Sequence, residues 1–379
     1  MHIVYNGWFW DQPNTGSGQY IRHLLHGLRR VAPDLQMTLV LAPDVTSADD
    51  LPADVSVITT KGNRGNIGKV IFEQQTFPQM AGRCGADLAH VPYWGTPLSS
   101  PIPLITSILD VIPLVMPEYA PGWRGRLYTS LVSATGRGSA HVITISDAAK
   151  ADIVQHLHIP PENITTTYLA TDDPFHPRMG AERDESVREK YHLPDRYVLY
   201  LGGFDLRKRV DQLLLAYTYV WQAEGDEVTL VIAGREPEWG SPMFPDLKKY
   251  AAELNISDHV QWIGYVDEAD KPSIYRMADV FVFPTIYEGF CLPVLEAMAC
   301  GTPVVANDIP VLAEVVGDGA FLTSKGDARK MAGAIIALLE QAPLRETQIT
   351  RGLSQATRYS WRKTARETLN VYQSVMNRV

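Results

Sequence analysis

A chain of 379 residues that is 45% hydrophobic and 20% charged carries enough apolar material for two ordinary cores rather than one. Its 34 Lys and Arg against 43 Asp and Glu give a net charge of -9, which removes the electrostatic footprint of a protein that wraps nucleic acid. Cys84, Cys291 and Cys300 are odd in number and lack metal-ligand spacing, which excludes a disulfide framework and fits a reducing compartment.

In chain order, short β-branched or apolar runs predict strands over 3–6, 37–41, 55–59, 87–91, 104–109 and 140–145. Amphipathic stretches lie between several of them. One covers 20–28, with Ile21, Leu24, Leu25 and Leu28 at helical spacing. This alternation is the signature of a parallel sheet covered on both faces. The segment 171–189 is polar, charged and interrupted by proline, and reads as a linker. Strands then resume at 197–201, 228–233, 260–263, 280–283 and 303–306, with a helix over 210–221. The expected class is α/β, as two doubly wound Rossmann-like domains, 1–175 and 176–359, facing a cleft at the carboxyl ends of their strands. A final helix over 361–376 presents Trp361, Ala365, Leu369, Tyr372 and Val375 or Met376 on one face, and needs a surface to cover. The first residues lack the features of a secretion signal, and no apolar run approaches the ~18 residues of a membrane span, so a cytoplasmic protein is expected.

The chemistry concentrates in the second half. In Phe283-Pro284-Thr285-Ile286-Tyr287-Glu288-Gly289-Phe290-Cys291-Leu292-Pro293-Val294-Leu295-Glu296 a buried strand ends, a loop follows, and Pro293 marks a helix start. Backbone N–H groups around Phe290, Cys291 and Leu292, with the helix dipole, make an anion site there. Glu296 lies one turn inside among apolar neighbours, where a vicinal diol would offer its carboxylate two donors; Glu288 lies eight positions earlier, before the helix. A capping and a solvated glutamate would explain the same spacing. After the first strand of this half, Gly202 and Gly203 permit close backbone approach, and Arg207-Lys208-Arg209 concentrate positive charge at a helix start. Asp205 and Asp211 are local carboxylates that would also account for them.

In the first half, Gly16-Ser17-Gly18 opens a helix, though Ile21 stands where a dinucleotide fingerprint has its third glycine. Trp8, Trp10, Trp94, Tyr119 and Trp123 suggest a saccharide or glycolipid surface, with packing the competing account for the loop 7–11. Asp110 follows a strand, as a candidate for orienting an acceptor hydroxyl or as a turn former. His90 reads as structural. No Asp-x-Asp occurs, and neither His23 and His26 nor His156 and His158 have a partner that suggests a metal site. Arg22, Arg29 and Arg30 on the first helix offer either a peripheral membrane contact or a solvated face.

The run from Glu288 to Ala306 resembles the Glu-x7-Glu signature and flanks of the retaining GT4-type glycosyltransferases of the GT-B fold, mannosyltransferase-like members included. Gly16 to Tyr20, Leu109 to Pro113, Ile143 to Ser146, Gly202 to Lys208 and Glu314 to Gly317 resemble the family in the same order. The resemblance implies a nucleotide-sugar donor in the C-terminal domain, with Glu296 on the ribose, Glu288 on the transferred sugar and Lys208 on the diphosphate. Backbone at Gly289, Phe290, Cys291 and Leu292 would assist, and Ile263-Gly264-Tyr265 would frame the base. It implies an acceptor in the N-terminal domain, a final helix (360–379) crossing back to that domain, and neither cofactor nor metal. Three positions depart from the family: Gly203 stands where an Arg is common, so that Arg207 would substitute; Cys291 replaces a central Gly; and Leu109 replaces the His that often precedes Asp110. The expected reaction is hexosyl transfer to a hydroxyl with retention, from GDP-mannose or a UDP-sugar. An epimerase of the same fold and a two-lobed ligand-binding protein are the alternatives.

Overall fold

A computed structural model describes residues 1–45, 48–120, 122–136 and 138–378. The chain divides into two compact units, Met1–Leu169 with Ser360–Val379, and Ala170–Tyr359. The division falls six residues before the expected one, at the point where hydrophobicity drops.

The first unit holds a seven-stranded parallel sheet: β1 (His2–Gly7), β2 (Gln36–Leu41), β3 (Val55–Ile58), β4 (Leu88–Val91), β5 (Leu104–Ser107), β6 (His141–Thr144) and β7 (Ile164–Thr166), in the order β3-β2-β1-β4-β5-β6-β7. The central strands are buried along their length, which is why they read as continuous apolar runs. The three-residue edge strand β7, paired with β6 through Val142 and Ile164, is too short to leave a periodic signal. β5 ends at Ser107, two residues before the strand expected from sequence.

The second unit repeats the plan with six parallel strands: β8 (Tyr197–Leu201), β9 (Thr229–Ala233), β10 (Val260–Gly264), β11 (Val280–Phe283), β12 (Val304–Asn307) and β13 (Phe321–Thr323), ordered β10-β9-β8-β11-β12-β13. β13 is again a short edge strand without a sequence signal. The loops that follow β8 and β11, neighbours in the sheet, carry the residues with functional chemistry.

The Trp361–Met376 helix belongs to the first unit, where it packs on the Gly16–Val31 helix. Gly27 permits the approach, since a Cβ there would lie 3.0 Å from Ala365 Cβ and from the Trp361 carbonyl oxygen. The buried face is Thr364, Ala365, Thr368, Val371, Tyr372 and Val375. Trp361 and Leu369, expected on that face, lie half-buried on its flank. The face is rotated because Thr364 buries its hydroxyl by donating to the Tyr168 carbonyl, a bond that hydrophobic periodicity does not register. At its far end the Tyr372 phenol lies 2.6 Å from His90 Nδ1, His90 Nε2 lies 2.8 Å from Ser107 Oγ, and that oxygen lies 3.0 Å from the Tyr20 phenol. Burial lowers the His90 pKa to about 3, so the ring is neutral and structural.

Candidate active site

The loop after β8 is drawn against the loop after β11 by backbone and side chain together. The Ile286 N–H donates to the Arg207 carbonyl (2.9 Å), and Asn307, paired with the buried Gln212, donates its amide to the Pro284 carbonyl. Gly202 donates its N–H to the Ala233 carbonyl, and a Cβ there would lie 2.9 Å from the Tyr200 hydroxyl; Gly203 is exposed, and its carbonyl accepts from that same hydroxyl. The cations then separate. Arg209 is committed to Asp211 in a bidentate pair at 2.9 Å, so the local-carboxylate account holds for it. Arg207 lies 3.1 Å from Asp205 Oδ1 and also donates to Glu288, while Lys208 Nζ donates to Glu288 Oε1 at 2.6 Å and sits 5.1 Å from the centre of the Phe283 ring.

Glu288 is thus the hub. Thr285, which the sequence reading missed, donates its hydroxyl to the same Oε1 at 2.8 Å. All these donors meet Oε1, and none of the hydrogen bonds among the described residues reaches Oε2. Burial would raise the Glu288 pKa, but the charges of Lys208 and Arg207 and the Thr285 hydroxyl outweigh it and hold the carboxyl below its ordinary range. It is ionised at neutral pH. Arg207 and Lys208 against Asp205 and Glu288 leave the site locally balanced, with its cations gathered on one oxygen.

Gly289 and Phe290 are buried next to Glu288, and the Phe290 ring meets Tyr359 edge-on at 5.7 Å. The Leu292–Ala299 helix starts there, with Pro293 at its beginning, as its sequence implies. Cys291 precedes it with φ of 85° and ψ of 51°, a left-handed conformation that a β-carbon disfavours and a glycine would take freely. The cysteine is buried, and its thiol is raised well above its ordinary pKa by burial first and by Glu288 second, so it is un-ionised. Glu296 is 8% exposed, and its Oε2 accepts from the Tyr275 hydroxyl at 3.0 Å. Burial raises its pKa to about 7 against the opposing charge of Lys271. At the end of β10, Ile263 is half-buried, Gly264 takes φ of 70° and gives its carbonyl to the Gly234 N–H, and Tyr265 is exposed beneath the Arg235 guanidinium.

The first unit corrects several expectations. Trp8 and Trp10 are buried, not sugar platforms: Trp8 packs on Phe72 at 5.2 Å, and the Arg22 guanidinium covers the Trp10 ring at 4.6 Å. Trp94 is half-buried and donates its indole N–H to the Val132 carbonyl, Tyr119 is half-buried, and Trp123 is exposed. Gly18 serves packing, because a Cβ there would lie 2.0 Å from the Gln12 carbonyl oxygen, and its N–H is committed to the Thr15 cap. Gly16 is exposed. Asp110 lies beyond the end of β5 and accepts the Ile112 N–H at 3.1 Å, which forms the turn. Arg22 and Arg29 spend their guanidinium groups on backbone carbonyls of Trp10, Asp49, Pro33, Leu35 and Asp54, so the first helix does not offer them as a membrane-facing patch. One buried acid was not anticipated: Glu73, in a π-helical turn (Phe72–Thr76), with Lys69 Nζ at 3.6 Å and the Tyr128 hydroxyl 3.3 Å from both oxygens. Burial raises its pKa to about 7. It stands in a mixed run, with Phe72 buried on one side and Gln74 half-buried on the other, and sequence pattern gives no signal for its burial.

Residues 14–173 match the family model for glycosyltransferase family 4, and residues 183–355 that for glycosyl transferases group 1. The chain is 32% identical over 270 residues to O-antigen chain mannosyltransferase B of Escherichia coli, covering 71% of this chain and 70% of that protein. It is 37% identical over 182 residues to the phosphatidyl-myo-inositol mannosyltransferase of Mycobacterium leprae, where the match spans 47% of this chain and less than half, 46%, of the relative. In fold it is similar to sucrose-phosphate synthase from Thermosynechococcus elongatus, with a TM-score of 0.79, 22% identity and full coverage of both chains. The chain belongs to the GT4-type, mannosyltransferase-like glycosyltransferases of the GT-B fold.

Proposed function

We propose that this glycosyltransferase moves a hexosyl group, mannosyl before glucosyl, from a nucleoside diphosphate sugar to a hydroxyl of a saccharide or glycolipid, with retention at the anomeric carbon. The mannosyltransferase relatives support the sugar. The observation that carries the reading is Glu288, whose Oε1 gathers Lys208, Arg207 and Thr285 while Oε2 is left to accept from a sugar hydroxyl. In this reading the donor lies over the second unit: its diphosphate at Lys208, Arg207 and the start of the Leu292–Ala299 helix, its ribose diol at Glu296, its base beside Ile263, Gly264 and Tyr265. The acceptor is bound by the first unit.

As the bond from the anomeric carbon to the β-phosphate oxygen breaks, negative charge grows on that oxygen. Lys208 and Arg207 can leave Glu288 Oε1 for it, which stabilises the transition state more than the ground state. Two side-chain cations supply the neutralisation that a metal supplies elsewhere. The acceptor oxygen forms its bond on the face the phosphate leaves, and its proton passes to the departing phosphate oxygen, so no separate base is required. The test is release of nucleoside diphosphate from GDP-mannose, UDP-glucose and related donors across an acceptor panel, with Glu288→Ala and Lys208→Ala as controls. Turnover of a GDP donor that both substitutions abolish supports the reading. Donor binding with no turnover on any acceptor overturns it.

A further inference from the structure

The first sheet runs outward from β1 through β2 and β3 on one side and from β4 through β5, β6 and β7 on the other, so its strand order reverses between β1 and β4. Ligands of open α/β sheets bind at such a point, beyond the carboxyl ends of the strands. Here it gathers buried polar groups whose bonding is incomplete. Asn6, the penultimate residue of β1, is fully buried; its Oδ1 accepts the Trp8 N–H at 3.0 Å and the Tyr93 hydroxyl at 3.3 Å, while its Nδ2 has no partner among the described residues. Tyr93 follows β4, and Glu73 reaches the same place: a Cβ on Gly95 would lie 2.1 Å from the Tyr93 ring and 2.5 Å from Glu73 Oε1, so only a glycine lets the carboxyl lie against that ring. Glu73 is held loosely. The Tyr128 hydroxyl stands 3.3 Å from both of its oxygens and Lys69 Nζ 3.6 Å from one, beyond the ~2.5–2.9 Å of charge-assisted bonds. An ion pair with Lys69 one turn away would account for a surface acid, but here the glutamate side chain is wholly buried while its cation stays 24% exposed. Glu73 also stands in the π-helical turn, a rare element that recurs at functional sites.

We propose that Glu73 determines acceptor specificity: its carboxylate accepts from a hydroxyl of the acceptor saccharide, which takes the place of the Tyr128 phenol, and Asn6 Nδ2 donates to the same sugar. The role of that sugar rests on the transfer reading above; the new element is the place and the residues. A sugar hydroxyl is donor and acceptor at once, so it matches a buried acid with spare lone pairs beside a buried amide with a spare N–H. The rim suits a ring that is apolar on its faces. Phe9, Lys69 and Tyr128 are half-buried, and Lys69 Nζ lies 5.2, 5.4 and 5.3 Å from the centres of the Phe9, Tyr93 and Tyr128 rings, which brings the loops after β1 and β4 and the Gly122–Gly136 helix together over the carboxyl. An acceptor without the matching hydroxyl leaves the acid unpaired, which is how such a site discriminates. Burial, opposed by Lys69, brings the Glu73 pKa to about 7, and Tyr93 and Tyr128 are the other titratable groups that face it. A sugar hydroxyl favours the ionised acid, so binding tightens as pH rises through 7 and releases a proton. The group acts on binding alone, and the acceptor proton still passes to the departing phosphate.

The experiment is saturation-transfer NMR of the methyl glycosides of mannose, glucose, galactose and N-acetylglucosamine with the full chain in saturating GDP, for wild type, Glu73→Gln and Tyr128→Phe. At least one glycoside is expected to bind wild type, about tenfold more tightly at pH 8 than at pH 6. Glu73→Gln should weaken it about tenfold or more at pH 8 and flatten the pH dependence, whereas Tyr128→Phe, which keeps the ring and removes the competing hydroxyl, should bind at least as well as wild type. GDP affinity should be the same in all three. Because a buried acid costs stability when ionised, Glu73→Gln should melt no lower than wild type at pH 8. Binding of no glycoside, equal binding by wild type and Glu73→Gln, weakening by Tyr128→Phe to match Glu73→Gln, or a lower melting temperature of Glu73→Gln at pH 8 overturns the proposal, the last by marking the pair with Lys69 as structural. Steady-state transfer separates it from the reading on which it rests. Glycoside binding that needs Glu73, without transfer from any donor, sinks the transfer reading and leaves this site; transfer with the same acceptor KM in Glu73→Gln does the reverse.

Discussion

Replacing Glu296 by Gln separates the cost of its burial from its use. The carboxyl rises from an ordinary value of 4.5 to about 7 because it is shut away from water, with the Tyr275 hydroxyl at 3.0 Å as its neutral donor. The folded state therefore keeps a proton that the unfolded state gives up near pH 4.5. Below that value both states are protonated and the site costs nothing; as pH rises from 4.5 to 7 stability is lost, and above 7 the full penalty of about 3 kcal/mol persists. Glutamine accepts the same Tyr275 bond and does not titrate. Denaturant unfolding of the second unit at pH 5 and pH 8 should show the stability of the variant relative to wild type growing by about 2.5 kcal/mol over that interval. The variant should lose nucleotide affinity at the same time, since two diol hydroxyls favour the ionised acid. Binding of GDP or UDP at pH 7, followed by calorimetry in buffers of different ionisation enthalpy, should release about half a proton more from wild type than from the variant. Identical pH dependence of stability together with identical proton release would refute the reasoning.

Three further outcomes follow from the same geometry. Lys208→Ala should lower kcat by about 100-fold or more without rescue by higher donor concentration, because the lost charge acts on the departing phosphate; an effect confined to KM would contradict that role. Cys291→Gly should be more stable than Cys291→Ala by about 1 kcal/mol, the reverse of a helix interior, because the position sits at φ of 85°; thermal melts of both variants decide it. Gly18→Ala should destabilise by about 2 kcal/mol or more through the clash with Gln12, while Gly16→Ala is neutral, since no atom outside its own helix turn and chain neighbours lies within 4 Å of its Cβ. Equal melting temperatures for the two would show that the packing argument fails.

The sheet-forming runs were legible because buried parallel strands are continuous apolar stretches, and β8 and β11 begin and end where their sequences place them. The edge strands β7 and β13 were not, since three residues cannot show a period. At the site, the Glu288–Glu296 spacing and the cations before the Val210–Glu224 helix were visible, but their pairing was not: Thr285 and Tyr275 matter through bonds that only the packed loops create. The aromatic loop misled for the opposite reason. Trp8 and Trp10 are as suited to a core as to a sugar face, and Phe72 and Arg22, distant in sequence, decide which. Glu73 was hidden because its neighbours Ile71, Gln74, Gln75 and Thr76 are exposed or half-buried, so nothing in the local pattern marks it as a buried acid.

The Trp361–Met376 helix gives the chain a particular order of assembly. The second unit is continuous and is synthesised whole, whereas the first has a gap of 190 residues between Leu169 and Ser360. A nascent chain whose first seven strands have emerged still exposes the strip around Gly27, and His90 still lacks the Tyr372 phenol. Translation must run through the entire second unit before the first can be closed. Any pause in that interval leaves an open apolar seam for a chaperone to cover.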